Sequence, residues 1–161
     1  MNVNNFTIIN AIGPPSNTET IVPINCGKCH LLNASKVINA NIVKWAEKYL
    51  KAHGDIKLTH ATGALGYEKT KESYKACGLE NDESAEVLEY IYDMPCRMAA
   101  ADAVICRAGA MTLSELALMG KKAVLVPYPY AAENHQYKNA KVLSDGGAAI
   151  LISDGELTED K

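Results

Sequence analysis

Short apolar runs alternate with longer segments of helical period from residue 20 to the end of the chain. This alternation is typical of βα units, in which a helix connects each strand to the next strand of a parallel sheet. We therefore predict an α/β fold, with helices on both faces of a parallel sheet. With 161 residues, of which 48% are hydrophobic, the chain can bury the core of one domain.

The individual elements follow from apolar periodicity and from the glycines and prolines that interrupt it. Six strands are predicted, at residues 21–25, 56–60, 86–90, 103–106, 123–126 and 148–152. Helices are predicted from residue 35 to about 54, and at residues 67–77, 93–101, 112–119 and 133–143. Ser35 is placed to cap the first helix. The inner face of that helix would use Ile38, Ile42, Trp45, Tyr49 and Leu50.

The first 20 residues contain several Asn and Pro residues and no sustained periodicity. Such composition indicates an irregular leader. The folded domain is accordingly predicted to span residues 21–161.

Charge, hydropathy and cysteine usage exclude several classes of function. A net charge of -3 and a pI near 5.8 do not provide the basic patch of a nucleic-acid-binding domain, so no nucleic-acid partner is expected. No apolar run approaches the roughly 20 residues of a membrane-spanning helix, and no secretion signal is recognisable, so a cytoplasmic location is expected. The five cysteines are scattered, which favours reduced thiols.

The loop after the predicted strand 103–106 is the first candidate binding site. In open α/β sheets, ligands bind beyond the carboxyl ends of the strands. Here the sequence RAGAMT at residues 107–112 leads into a helix, and its small residues would let a ligand approach backbone N–H groups at the positive end of that helix. A phosphate or pyrophosphate would suit this position.

Thr112 and Glu115 allow two interpretations. Their spacing is that of a capping box, in which Thr112 accepts a hydrogen bond from a backbone N–H and Glu115 reaches back to the helix start. Alternatively, Glu115 accepts hydrogen bonds from a ribose diol, as acidic residues do in other nucleotide-binding α/β folds. Spacing alone favours the cap.

The loop after the predicted strand 123–126 is the second candidate site. Two prolines stiffen it, and amide and imidazole groups follow at a helix start in Asn134, His135 and Gln136. These groups would suit sugar hydroxyls. Composition alone favours an Asn134 helix cap and a solvated His135.

Cys26, Cys29 and His30 form the pattern CGKCH, which matches c-type haem attachment and half of a zinc site. Haem attachment belongs to exported proteins, and a zinc site would need a fourth ligand that no second Cys pair supplies. No cofactor and no metal are therefore expected. His53 and His60 have no recognisable local partner, and the glycines at 63 and 66 predict a plain turn.

The segments YIYDM at residues 90–94 and AADAVICRAGAMTLSE at 100–115 closely resemble the MurG family of bacterial cell-wall glycosyltransferases. The similarity continues through GKKA at 120–123 and ENHQYKNA at 133–140 to GAA at 147–149. It extends over roughly residues 55–152. The resemblance implies a Rossmann-like domain that forms one half of a GT-B glycosyltransferase, namely the C-terminal domain that binds UDP-N-acetylglucosamine.

The resemblance also implies a role for individual residues. Ile91 would lie beside the uracil, and Glu115 would hold the ribose hydroxyls, which makes ribose binding the preferred interpretation of that carboxylate. His135 and Gln136 would face the N-acetylglucosamine. The pyrophosphate and sugar would be wrapped by Ala110, Met111, Thr112, Leu113 and Ser114.

By the same resemblance, the sugar moves in one inverting displacement to the muramyl 4-hydroxyl of undecaprenyl-pyrophosphoryl-muramyl-pentapeptide, and a helix N-terminus stabilises the departing UDP. In this family the acceptor binds to an N-terminal domain, and the enzyme is peripherally bound at the cytoplasmic face of the inner membrane. Since that domain has no counterpart here, no catalytic residue is assigned and the chain alone is expected to be inactive. A gene fragment is the preferred explanation. A subunit of a split transferase, a degenerate relative that binds nothing and a non-catalytic interaction domain are the alternatives.

One departure concerns the phosphate. The family opens this domain with a Gly- and Ser-rich loop after its first strand, whereas the corresponding stretch here reads HLLNAS at residues 30–35. We therefore expect UDP-N-acetylglucosamine to bind more weakly than it binds a complete enzyme.

Overall fold

The computed structural model describes residues 5–9, 28–52, 56–158 and 160. Within these ranges, six parallel strands form one sheet in the order β3-β2-β1-β4-β5-β6. The strands are β1 Asn5–Ile9, β2 Lys57–Ala61, β3 Ala85–Leu88, β4 Ala103–Cys106, β5 Lys122–Leu125 and β6 Ala149–Leu151. The predicted α/β class with a parallel sheet is confirmed.

In the described part of the chain, five α-helices connect the strands. They are α1 Lys28–Tyr49, α2 Tyr67–Ala76, α3 Met94–Ala100, α4 Ala110–Leu118 and α5 His135–Asp145, and a 3-10 turn at Ala132–Asn134 precedes α5. Of the helices in the described ranges, none is long and apolar enough to cross a bilayer.

Among the described residues, the core consists of two clusters on opposite faces of the sheet. One contains the inner face of α1 together with Leu58 of β2 and Tyr74 of α2. The other joins α3, α4 and α5 to Val104 and Leu125. Since neighbouring side chains of a strand point to opposite faces, the placement of Ile105 beside the first cluster and Val104 in the second confirms the predicted helices on both faces.

Most predicted elements are confirmed within two residues, but the first ones differ. Asn5–Ile9 is a strand paired to both β2 and β4, so the interpretation of residues 1–20 as an irregular leader is wrong for this segment. α1 begins at Lys28, which places Ser35 about two turns inside the helix, and the predicted Ser35 cap is therefore wrong. The predicted strand 21–25 lies outside the described residues.

A buried polar network ties α1, β2 and α2 together. His60 lies fully buried between Tyr74 and Asn39, with 3.1 Å from Nδ1 to the Tyr74 hydroxyl and 3.1 Å from Nε2 to Asn39 Oδ1. Asn39 Nδ2 donates to the Thr62 carbonyl at 3.1 Å, so its Oδ1 must accept. His60 therefore carries its proton on Nε2 and accepts from Tyr74, a neutral form that satisfies both ring nitrogens.

Candidate functional site

The candidate site lies at the carboxyl edge of the sheet. Strand order reverses between β1 and β4, because β1 connects outward to β2 and β3 while β4 leads to β5 and β6. Such a switch point opens a crevice in which α/β sheets bind ligands. The loops that follow β4, β5 and β6 all begin at this edge.

The loop after β4 places the start of α4 at the switch point. Gly109 is the N-cap residue, with φ -70° and ψ 143°, and as a glycine it has no side chain with which to cap the helix. Thr112 lies in the first turn, since α4 begins at Ala110. The capping-box interpretation of Thr112 and Glu115 is therefore wrong. The first N–H groups of α4 point out of the positive end of a nine-residue helix.

The predicted contact residues of α4 divide between its two faces. Met111 and Glu115 are exposed, and Thr112 is half-buried. Ser114 is also exposed, but its hydroxyl donates back to the Ala110 carbonyl at 3.0 Å. Leu113 packs in the core, and its N–H donates to the Gly109 carbonyl at 3.0 Å. Leu113 thus anchors the helix, whereas Met111, Thr112 and Glu115 are accessible to a ligand.

Ile91 lies in the loop after β3, separated from β4 by β2 and β1 in the sheet. Its side chain is 1% exposed, so a contact with a base would use its backbone. The neighbouring Tyr92 is 87% exposed, and its ring lies 5.0 Å from that of Tyr90.

The loop after β5 reaches α5 through a strained turn. Glu133 and Asn134 both have positive φ, at 51° and 56°, which non-glycine residues adopt at a cost. Asn134 occupies the N-cap position of α5 as predicted, but its side chain makes no capping hydrogen bond.

His135 and Gln136 lie in the first turn of α5. His135 Nδ1 lies 2.8 Å from the Ala132 carbonyl oxygen. Because that oxygen can only accept, the ring donates from Nδ1 and presents Nε2 as an acceptor when neutral. Gln136 Oε1 accepts from the Tyr128 N–H at 2.9 Å, so its amide group keeps its two N–H donors for another partner.

Arg107, which sequence reasoning did not single out, joins the loops that follow β4, β5 and β6. Its Nη1 donates to the Val126 and Pro127 carbonyls, at 3.1 Å each, and forms an ion pair with Asp154 in the loop after β6. The guanidinium lies 5.8 Å from the centre of the Tyr128 ring. The partners are 19 to 47 residues away in sequence, so no local pattern could have revealed them.

The cysteines offer no metal centre in the described part of the chain, where no three His, Cys, Asp or Glu side chains form a group that could hold an ion. Cys106 ends β4 beside the site, but burial raises the pKa of its thiol to about 12, so it remains protonated. Cys29 and His30 lie in α1, while Cys26 lies outside the described residues. The HLLNAS stretch at 30–35 lies within α1, so the expectation that it takes the place of the family's loop after the first strand is wrong. Residues 10–27, which follow β1, are outside the described residues.

Comparison with known proteins gives consistent relatives. Residues 33–161 match the glycosyltransferase family 28 C-terminal domain. The UDP-N-acetylglucosamine--N-acetylmuramyl-(pentapeptide) pyrophosphoryl-undecaprenol N-acetylglucosamine transferase of Desulforamulus reducens is 41% identical over 129 residues, which are 79% of this chain and 34% of that protein. The transferase of the same name from Desulfitobacterium hafniense is 48% identical over 112 residues, or 69% of this chain and 30% of that protein.

The crystal structure of Acinetobacter baumannii MurG has the same fold, with a TM-score of 0.71 at 27% identity, and the match covers 99% of this chain and 40% of that one. This chain spans about a third of the length of the curated relatives that it matches. The resemblance to the MurG family noted in the sequence is thereby confirmed. From its sheet, its switch-point loops and its match over residues 33–161, the chain belongs to glycosyltransferase family 28, as a C-terminal domain of that family.

Proposed function

We propose that this chain is the donor-binding domain of an inverting glycosyltransferase that moves N-acetylglucosamine from UDP-N-acetylglucosamine to undecaprenyl-pyrophosphoryl-muramyl-pentapeptide in peptidoglycan synthesis. The observation that carries the proposal is the glycine-capped start of α4 at the switch point. Curated relatives with 41% and 48% identity are named as transferases of this kind.

The pyrophosphate of the donor would bind at the start of α4. Gly109 and Ala110 leave room for a phosphate to approach the backbone, and the helix dipole there favours negative charge. The same charge stabilisation would apply to the UDP that leaves when the sugar is transferred. Glu115 lies on the exposed side of α4 and would accept hydrogen bonds from the ribose hydroxyls, while Ile91 would lie beside the uracil.

The sugar would face the first turn of α5. Its hydroxyl and acetamido groups can donate to His135 Nε2 and accept from the amide group of Gln136. Both side chains are held by backbone hydrogen bonds, to Ala132 and from Tyr128, which fixes the direction of the remaining polar atoms.

The acceptor is proposed to bind to residues of an N-terminal domain or of a separate subunit, at the cytoplasmic face of the inner membrane. In this arrangement the chain supplies donor binding and no catalytic residue. A split transferase subunit would have the same donor site, whereas a non-catalytic interaction domain would bind no nucleotide sugar.

Calorimetric titration with UDP-N-acetylglucosamine tests the proposal, with GDP-mannose as the control ligand. We expect saturable, uridine-selective binding that falls about tenfold in Glu115→Ala, the loss expected for a hydrogen bond to a charged group. Glu72→Ala provides a matched control, because Glu72 is an exposed helical carboxylate on α2. Absence of binding by the folded protein would contradict the proposal and favour an interaction domain.

A further inference from the structure

A single buried guanidinium connects three strand ends. Arg107 directly follows β4, the carbonyls of Val126 and Pro127 directly follow β5, and Asp154 follows β6. The side chains of the ion pair are 10% and 15% exposed. Because a carboxylate and two carbonyls share the N–H donors of one nitrogen, the three loops are held together at one point.

The connection continues from this point to α5. The guanidinium packs against the ring of Tyr128, and the backbone N–H of Tyr128 donates to Gln136 Oε1. The position of the Gln136 amide therefore depends on the loop that Arg107 holds. The next residue pair before α5, Glu133 and Asn134, has positive φ, a strained geometry that persists only where its surroundings fix it.

We infer that Arg107 and Asp154 are positioning residues for the sugar half of the donor, because they hold the loop after β5 and, through Tyr128, orient Gln136. The inference rests on the proposed function. Neither residue needs to contact the ligand, and neither is required for the α4 end of the site that would bind the UDP part.

Two variants test this role. Arg107→Met removes the donors but keeps an unbranched apolar side chain against Tyr128, and Asp154→Asn removes only the charge. Asp145→Asn is the matched control, since it breaks an exposed ion pair with Lys141 on α5. Affinities for UDP and for UDP-N-acetylglucosamine are measured by calorimetry, and amide exchange at Tyr128 is measured by NMR in the unliganded protein.

We expect the ratio of the affinity for UDP-N-acetylglucosamine to the affinity for UDP to fall about fivefold to tenfold in both variants. The affinity for UDP itself should stay within about twofold of the wild-type value. The Tyr128 amide should exchange about tenfold faster, and Asp145→Asn should change neither quantity. Should Arg107→Met fail to fold, Asp154→Asn carries the test alone. A variant that lowers both affinities equally, or that keeps the wild-type affinity ratio, overturns the positioning role. Absence of UDP binding in the wild type refutes the proposed function itself.

Discussion

Protonation of His60 should govern the acid stability of this domain. Burial lowers the pKa of His60 to about 3, against about 6.5 in an unfolded chain. Between pH 6.5 and pH 3, His60 is protonated in the unfolded state and neutral in the folded state. The stability of the folded state that depends on neutral His60 is therefore fully present above pH 6.5 and falls as the pH is lowered. From pH 7 to pH 5, this residue alone should reduce the free energy of unfolding by about 2 kcal/mol.

The substitution His60→Gln removes the titrating group and retains an amide donor toward Asn39 Oδ1. We expect lower stability at pH 7, by about 1–3 kcal/mol for the disrupted network. The decline between pH 7 and pH 5 should then be about 2 kcal/mol smaller than in the wild type. Urea unfolding followed by circular dichroism at pH 7, 6 and 5 measures both quantities.

Tyr74→Phe is the matched control, because it removes the hydroxyl that faces His60 Nδ1 but leaves the imidazole in place. It should lower stability and keep the steep pH dependence. Ser84 and Lys48 lower the carboxyl pKa values of Asp82 and Asp160, respectively. The stability that these two carboxylates contribute is lost as the pH falls, and this loss is the same in all three proteins. Parallel pH profiles for wild type and His60→Gln would refute the reasoning.

Two further substitutions, each with a matched control, test the packing. Gly66→Ala would place a Cβ 2.5 Å from Asn39 Nδ2 and 2.9 Å from the Thr62 carbonyl oxygen. We therefore expect the free energy of unfolding, measured in urea, to fall by about 1–3 kcal/mol. Gly155→Ala, whose added Cβ would have nothing within 4 Å, should leave it nearly unchanged. Leu116→Ala empties a core position and should cost about 2–5 kcal/mol. Leu118→Ala, on the exposed side of the same helix, should stay within about 0.5 kcal/mol, and equal thermal shifts for the two leucines would contradict the assigned core.

The strands of the second half could be predicted because their apolar runs are short and sharply bounded; β4 was predicted at residues 103–106, as observed. The first strand could not be, since Asn-rich flanks hide the alternation in Asn5–Ile9. The capping-box prediction was wrong because the N-cap residue is Gly109 and α4 begins at Ala110, before Thr112.

Residues that act through distant partners also escaped prediction. The hydrogen-bond partners of His60 lie on two helices: Tyr74 is 14 residues away in sequence and Asn39 is 21 residues away. Arg107 binds Asp154, which is 47 residues away. Such pairs exist only once the sheet has brought its loops together. By contrast, the two switch-point loops were found from sequence, since each follows a recognisable strand and leads into a helix.

The central position of β1 has a consequence for how the chain folds as it is made. Phe6 must pair with Ala103, and at synthesis rates of about 5–20 residues per second, roughly 5–20 s separate the two residues on the ribosome. Of the two strands that pair with β1 in the described sheet, β2 is made during that interval and β4 is not, so the β4 edge of β1 stays open. An open strand edge is a template for pairing with other chains. Nascent chains of this domain are therefore most exposed to aggregation before β4 emerges.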